Sequence, residues 1–484
     1  DDDGRLRIGG ESAELIQRAP IAYQPDEAGR RRPVEACFEI IGSPEAKNVI
    51  VAFDVADFDR SLPLVIDPIL DYSTYLGGSA GDYVKGVALD TVGNIHLAGY
   101  TLSGDFPVQN PLQGSHSDAG STFDLFVTKF NSAGTALLFS TYYGGVGSDY
   151  ARDIALDAEG NVFVTGDTPD SYALLLKVHA DGTFGGVTTH GGTLGPTTGL
   201  GIDVDGNHVA VIGETSAADM PVTNFLQEFS LGDDAFVAVF DRSLNLLLST
   251  FYGGTGEQSG KAIAFDHNGG LLLGVTVPDG GGGTDVMVSR LGAGGTTVSY
   301  ETVLGGAASE APYDLVSDAA GSAYVTGMTR SPDFPVTPDA VGPVHGGGQD
   351  CFFSKLGPTG GVVYATYLGE ADDQRGEWIT LDQAGDIFIM GPDKARESNG
   401  DVFVVKLVNS SPVAFGYSTS VGTPDMEFAG GVAVDAAGRP VIAGATLSDA
   451  FPLTGDAFDT TYGGSFDVFI CRLETSGTPT PQLA

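Results

Sequence analysis

The chain has 484 residues, 71 of them glycine, and a formal net charge of −40 from 63 acidic and 23 basic side chains. A surface this acidic repels nucleic-acid phosphates and anionic membranes, so we expect neither as a partner. No apolar run reaches the roughly 18 residues that a membrane-spanning helix requires. The 3 cysteines are too few to form a disulfide framework in a chain of this length.

Residues 1–68 are predicted to form a small β segment packed on the rest of the chain. Residues 5–8, 34–41 and 48–53 alternate polar and apolar side chains, as half-buried strands do. Residues 30–32, three arginines, are expected in a solvated turn. The chain begins with three aspartates, as it would after removal of a signal peptide or after trimming of a longer chain; we expect a secreted protein, located outside the cell or at its surface.

The next part of the chain reads as four short strands separated by turns. The predicted strands cover residues 86–90, 95–99, 124–129 and 136–142, with Gly, Asn and Asp in the turns between them. Such turns are typical of antiparallel hairpins, and four consecutive antiparallel strands make a propeller blade.

A short sequence motif that ends in glycine, usually in a double glycine, appears seven times. Its recurrence indicates that the four-stranded unit is repeated along the chain. Its first glycines lie at positions 77, 144, 191, 253, 305, 369 and 422. A repeat of this length indicates a radial architecture in which each unit buries its apolar face against its neighbours. The units are predicted to start near residues 69, 137, 187, 247, 298, 362 and 413.

The last unit ends after its third strand, whereas residues 69–75 form a strand left over before the first unit. We therefore predict an all-β fold, a seven-bladed β-propeller of four-stranded antiparallel blades over residues 69–475. The N-terminal strand would complete the last blade and so close the ring. Residues 476–484 are expected to be a tail rich in Ser, Thr and Pro.

Four motifs of the first unit resemble the seven-bladed β-propeller repeat known as SBBP. They are residues 73–78, 90–99 followed by Thr101, 105–107, and 124–129. The resemblance covers about residues 69–475; units two and six lack the Phe-Pro element, and unit three has a damaged first motif. It implies a secreted or cell-surface prokaryotic protein and no shared catalytic activity. We accordingly assign no catalytic residue.

Long connections between the second and third strands occur in units one, three, five and seven. Because seven is odd, units seven and one place two long loops side by side, and we expect binding on this face. The candidate binding residues are Phe106, His116, Met220, Phe334, His345 and Phe451. The alternative is that each Phe-Pro element packs inward and anchors its own loop.

A ring of oxygen-bearing side chains precedes the first strand of most units. Its acidic members, the candidate metal ligands, are Asp82, Asp149, Glu310 and Glu427. Calcium prefers such ligands, so the ring is one candidate calcium site. The alternative is that these side chains accept hydrogen bonds from backbone N–H groups at the blade junctions.

Three functions are compatible with these features. The first is a non-enzymatic extracellular or cell-surface scaffold that binds a protein or polysaccharide at the long-loop face, or serves as a subunit of a surface assembly. The second is a carbohydrate-active lyase or hydrolase, which would need two carboxylates about 5 to 10 Å apart. The third is a calcium-stabilised structural module. No cofactor is expected to be required, with calcium the one candidate.

Overall fold

The structure is a computed structural model. It describes residues 69–474 apart from 119, 224–225, 231, 293, 370–371, 394–399 and 424, together with seven short strands within residues 1–68. Every regular element in these parts of the chain is a β-strand. None of the described elements is therefore a helix that could cross a membrane.

The seven short N-terminal strands form three small antiparallel sheets. The three predicted strands each overlap an observed one, with ends displaced by up to two residues. The predicted arginine turn is wrong for Arg31 and Arg32, which pair with Pro25 and Gln24 at the edge of a sheet. Charged residues are common on edge strands because they discourage further pairing. The strands are β1 (Leu6–Gly10), β2 (Ala13–Gln17), β3 (Ala22–Pro25), β4 (Arg31–Val34), β5 (Ala36–Ile41), β6 (Ile50–Val55) and β7 (Val65–Ile66).

Seven four-stranded antiparallel sheets follow, and each is one blade. In blades one to six the four strands are consecutive in the chain and in space. The strands of blades one to three are β9 (Asp82–Leu89), β10 (Ile95–Thr101), β11 (Asp124–Phe130), β12 (Leu137–Tyr143); β13 (Tyr150–Leu156), β14 (Val162–Asp167), β15 (Ala173–Val178), β16 (Phe184–His190); and β17 (Thr197–Val204), β18 (His208–Thr215), β19 (Asp234–Asp241), β20 (Leu246–Tyr252).

Blades four to six repeat the same up-and-down order, and blade seven takes its last strand from the start of the ring. Their strands are β21 (Ser259–Phe265), β22 (Leu271–Pro278), β23 (Thr284–Leu291), β24 (Val298–Leu304); β25 (Glu310–Ser317), β26 (Ala323–Thr329), β27 (Asp350–Leu356), β28 (Val362–Tyr367); β29 (Trp378–Leu381), β30 (Ile387–Asp393), β31 (Asp401–Val408), β32 (Ala414–Val421); and β33 (Glu427–Val434), β34 (Pro440–Thr446), β35 (Asp467–Glu474), β8 (Ile69–Leu76).

The predicted closure of the ring is confirmed. β8 pairs with β35 in antiparallel register, with Leu76 opposite Val468, and so supplies the outer strand of blade seven. The first strand of blade seven, β33, contacts the first strand of blade one, β9. The seven-bladed, all-β fold with an N-terminal strand in the last blade is thus the observed one.

The first strand of each blade lies innermost, around the central channel. The alternating direction of the strands then places the glycine turns and the second-to-third loops on one face, which we call the upper face. On the lower face, third-strand cations pair with the turn aspartates of the neighbouring strands. Lys129, for example, lies 3.1 Å from Asp90.

Candidate functional site at the mouth of the central channel

A cavity of about 890 Å³ runs along the central channel. Its wall consists of residues from the first strands of the seven blades, from β9 to β33. This volume lies within the range of about 300 to 1,000 Å³ that is usual for small-molecule sites. We call its upper end, where the first strands begin, the mouth.

The first strands of six blades carry a β-bulge at their third or fourth residue, close to the upper end. One residue in each is skipped in the pairing with the second strand, and a bulge of this kind re-aims the side chain it carries. In five of these blades the skipped residue lines the channel, and Glu377 of blade six lines it directly before β29. The six skipped residues are Lys85, Arg152, Leu200, Lys261, Tyr313 and Gly430.

Most of the charged side chains at the mouth are paired. The Arg152 Nε lies 2.7 Å from Asp167 Oδ1, and the Lys261 Nζ lies 3.5 Å from Glu214 Oε2. Arg375 donates a hydrogen bond of 2.5 Å to Glu377. These pairs leave little net charge at their own positions.

Lys85 differs from these cations, because its ammonium group has no ion-pair partner among the described residues. Burial lowers the pKa of Lys85. Glu377 opposes that shift, whereas Arg152 and Arg375 add to it. The four charged groups therefore act on one another across the mouth, and the Lys85 ammonium lies among them without an anion of its own.

Six aromatic side chains form a continuous patch on the upper face beside Lys85, and we call them the aromatic patch. Each member has the ring centroid of another member 5.0 to 5.3 Å from its own. Five members are half-buried, and the Phe428 side chain is 41% exposed. The members come from blades seven, one and two: Tyr83, Tyr100, Phe123, Tyr150, Phe428 and Phe466.

Three aspartates deeper in the channel join neighbouring blades. Asp153 accepts hydrogen bonds from the backbone N–H groups of Ile154 and of Ile202 in the next blade. Asp203 and Asp314 make the same pair of contacts in blades three and five. Burial raises the pKa of Asp203 to about 6 and that of Asp314 to about 7, and raises the pKa of Asp153 well above its usual range.

The predicted loop residues lie beneath the upper face, in the core. Phe106 stacks on Phe126 with ring centroids 4.6 Å apart, and Phe334 and Phe451 take the same place in blades five and seven. Met220 is buried at the corresponding place of blade three. This placement is the one that the anchoring alternative describes, and their role in binding stays a prediction.

The two predicted loop histidines pack on equivalent tyrosines. His116 is buried, and its ring meets Tyr142 edge to face at 5.7 Å; its Nε2 lies 3.2 Å from the Thr101 carbonyl oxygen. His345 meets Tyr367 in the same way at 5.4 Å. Their binding role likewise remains a prediction.

The predicted acidic ring occupies the upper ends of the blade junctions. Asp82 accepts hydrogen bonds from the Gly78 N–H at 2.8 Å and from Ser103 and Thr101 hydroxyls. Glu310 and Glu427 bind a turn N–H and a threonine hydroxyl in the same way, and Asp149 accepts from the Gly145 N–H. Burial raises the pKa of Asp82 to about 7.

These contacts bear on the predicted calcium site. The donors come from the turn between blades and from the end of the second strand, so the acids hold the turn in place. Among the residues that the structure describes, no group of three His, Cys, Asp or Glu side chains gathers in a way that could hold a metal ion. The metal role of the four acids stays untested.

Sequence reasoning missed Lys85, Arg152 and the aromatic patch. A signal for them exists, because each skipped residue follows a ring position by three: Lys85 follows Asp82, and Arg152 follows Asp149. Alignment of the units at that offset would have shown three cations in an acidic chain. The patch carries no comparable signal, since its members come from six separate places in the chain.

Two family models match the chain. The beta-propeller repeat SBBP matches residues 71–107 and 138–170. The chain carries SBBP repeats. Ahead of the propeller, residues 1–69 match a domain of unknown function, DUF7948. No curated protein was found to match the chain in sequence.

The solved structures that are similar to this chain have low sequence identity to it and TM-scores below 0.5. The β-propeller domain of the Trilobed protease from Pyrococcus furiosus has a TM-score of 0.41 and 8% identity, covering 76% of this chain and 91% of that one. A gluconolactonase from Xanthomonas campestris has a TM-score of 0.36 and 11% identity, covering 67% and 93%. A puromycin hydrolase has a TM-score of 0.43 and 12% identity, covering 77% and 51%.

Proposed function

We propose that the protein is a non-enzymatic binding scaffold that acts outside the cell and takes its ligand at the mouth of the channel. The observation that carries this proposal is the aromatic patch beside Lys85, a lysine without an ion-pair partner in the described part of the chain, on the face that also holds the long loops. Half-buried aromatic side chains around a concave opening, with a few convergent polar groups, are the usual composition of a binding site.

The patch lies where the two neighbouring long loops meet the channel. Phe123 ends the long loop of blade one, and Phe466 ends that of blade seven. A ligand at the mouth can therefore contact both loops and both of these side chains. A glycan or a protein segment fits such an open, asymmetric surface, and the expected partner is one of these two classes.

The channel carboxylates favour binding over hydrolysis. The carboxylate oxygens of Asp153, Asp203 and Asp314 accept hydrogen bonds from backbone N–H groups of two blades. A general acid and base must instead reach the substrate. The acidic surface and the SBBP repeat support the extracellular placement, and no cofactor forms part of the proposal.

Binding of soluble polymers to the full chain tests this function. Dextran, a xylan with single glucuronate branches and gelatin are immobilised, and Phe428→Ser is compared with the unaltered protein. Phe428 is 41% exposed, so its replacement should leave the fold intact. The matched control is Phe415→Ser, a change at a phenylalanine that is 39% exposed on the outer strand of blade six.

We expect at least one polymer to bind, with affinity lowered several-fold by Phe428→Ser and unchanged by Phe415→Ser. The bound polymer should stay intact. Lack of binding to every polymer, or an equal effect of the two variants, would contradict the proposal. Release of new reducing ends or unsaturated sugars over time would make the protein an enzyme.

A further inference from the structure

We infer that the mouth holds an anionic subsite that receives a carboxylate-bearing sugar, with Lys85 as the group that meets the carboxylate. This inference rests on the proposed binding function and names the class of its ligand. Its premises are the pairing of the lysines, the charge of the whole chain and the chemistry of the aromatic patch.

Lys85 is exceptional among the lysines that the structure describes. The other five each have an acceptor: an aspartate or glutamate, a backbone carbonyl oxygen or an amide oxygen. The contacts are Lys129 with Asp90, Lys177 with the Arg242 carbonyl, Lys261 with Glu214, Lys355 with Asn409 and Lys406 with Asp386. Burying a charge without an acceptor costs free energy. Lys85 is half-buried in a chain of net charge −40 and has no acceptor among the described residues, so we expect an anion of the ligand to bind its ammonium group.

The surroundings favour a single carboxylate over a polyanion. Arg152 and Arg375 act on the pKa of Lys85, but they pair with Asp167 and Glu377, so the Lys85 ammonium supplies the attraction for one anion at this point. Further along any long polyanion, the acidic surface of the ring would repel it. One carboxylate at the end of a ligand gains the charge-assisted hydrogen bond without that repulsion.

The aromatic patch favours a sugar as the carrier of that carboxylate. Tyr83 and Tyr100 combine ring faces with hydroxyl groups, and Phe428 adds an exposed apolar face. A pyranose has the same two properties, an apolar face of C–H groups and a rim of hydroxyls. It can therefore stack on the aromatic rings and form hydrogen bonds with the tyrosine hydroxyls at the same time. The Lys85 ammonium lies 6.0 Å from the Tyr100 ring centroid. The charged group and the stacking ring are therefore close enough to contact the same sugar residue.

The test uses the full chain and two trisaccharides of the same linkage, one ending in glucuronate and the other in glucose. N-acetylglutamate amide serves as a carboxylate without a sugar ring. Affinities come from calorimetry and from the fluorescence of Trp378, the single tryptophan, which lines the channel. The variant is Lys85→Met, which keeps the length of the side chain and removes the charge.

The matched control is Lys261→Met, at the same bulge position of blade four, where the lysine is already paired with Glu214. We expect the glucuronate sugar to bind about tenfold or more tightly than the glucose sugar, the size of one charge-assisted hydrogen bond. Lys85→Met should remove that difference, and Lys261→Met should keep it. Because Lys85 makes no ion pair with any residue that the structure describes, its replacement should not lower the melting temperature.

The outcomes separate this inference from the binding function. Equal binding of both trisaccharides, or no effect of Lys85→Met, overturns the anionic subsite while the scaffold proposal stands on its polymer results. Binding of N-acetylglutamate amide as tight as that of the glucuronate sugar overturns the sugar assignment. Absence of any binding in both experiments overturns both proposals.

The pH profile gives a readout that a structural role of Lys85 would not change. Only the protonated amine attracts the carboxylate, and burial lowers the pKa of Lys85 below its ordinary 10.5. Glucuronate binding should therefore decline at a pH below 10.5, and Lys85→Arg should move the decline to higher pH. An unchanged profile in Lys85→Arg would contradict the inference.

Discussion

The Tyr75 hydroxyl donates a hydrogen bond of 2.8 Å to the carbonyl oxygen of Ser448, a residue 373 positions away in the chain. This contact joins the first strand of the ring, β8, to the long loop of blade seven. Tyr142 and Tyr367 make the same bond to Ser103 and Ser331 within blades one and five. The hydrogen bond that Tyr142 and Tyr367 make within their own blades is therefore the one by which Tyr75 helps to close the ring.

Tyr75→Phe should lower the free energy of unfolding by about 1 to 3 kcal/mol, because it removes the bond to the Ser448 carbonyl oxygen and the bond that the hydroxyl accepts from the Phe451 N–H. Tyr142→Phe is the matched control, since it removes the same bond inside blade one. Urea unfolding measures both. An effect of Tyr142→Phe without any effect of Tyr75→Phe would mean that β8 does not hold the ring closed.

Phe106→Ala should cost about 3 to 5 kcal/mol of stability, because it empties the core beside Phe126 and Tyr142. Ligand affinity should change little, provided that the assay is run well below the melting temperature. Unfolding by denaturant and polymer binding together check this. A loss of affinity at unchanged stability would instead make Phe106 a binding residue, as the sequence alone allowed.

The melting temperature should fall as the pH rises from 5 to 8, most steeply below pH 7. Burial raises the pKa of Asp82 and Asp314 to about 7 and that of Asp203 and Asp467 to about 6, against 3.8 for the ordinary group. The folded state therefore binds more protons than the unfolded state between those values, so its stability decreases as pH rises through them. The self-repulsion of the acidic chain acts in the same direction.

Calorimetric scans across this range provide the measurement, and Asp314→Asn provides the control because it removes one of the titrating groups. The slope between pH 5 and pH 8 should become shallower in that variant. A melting temperature that rises steadily from pH 5 to pH 8 would contradict the pKa shifts.

Removal of calcium should leave the melting temperature unchanged. The oxygens of Asp82, Glu310 and Glu427 already accept hydrogen bonds from turn N–H groups and from hydroxyls, so the turns do not need a cation. Thermal melting with calcium and then with a chelator is the check. A fall of several degrees in chelator would establish the calcium-stabilised module instead.

The sequence predicted the ring well because each unit can bury its apolar face only against the next unit, so the repeat carries the architecture. Strand ends were less accurate. The predicted first strand began at residue 86, whereas β9 begins at Asp82. The skipped residue Lys85 interrupts the alternation of inward and outward side chains. The period of two therefore predicts a strand only from residue 86 onward.

The candidate site was harder to predict for the same reason. A bulge residue such as Lys85 looks like an irregularity within one unit, and its meaning appears only when seven inner strands meet around one channel. The Phe-Pro elements were predicted as candidate binding residues because they repeat in the long loops. Phe106 and Phe334 are buried in the structure, where they anchor those loops. Tyr83 and Phe466 lie far apart in the chain and become neighbours only through closure of the ring.

Hydrogen–deuterium exchange of the full chain, with and without the tightest-binding polymer, tests most directly whether the channel mouth is the binding site. Slower exchange should be confined to the upper ends of β9 and β13 and to the two long loops that end at Phe123 and Phe466. Protection on the outer strands or at the lower-face turns, with the mouth unchanged, would contradict the proposed site.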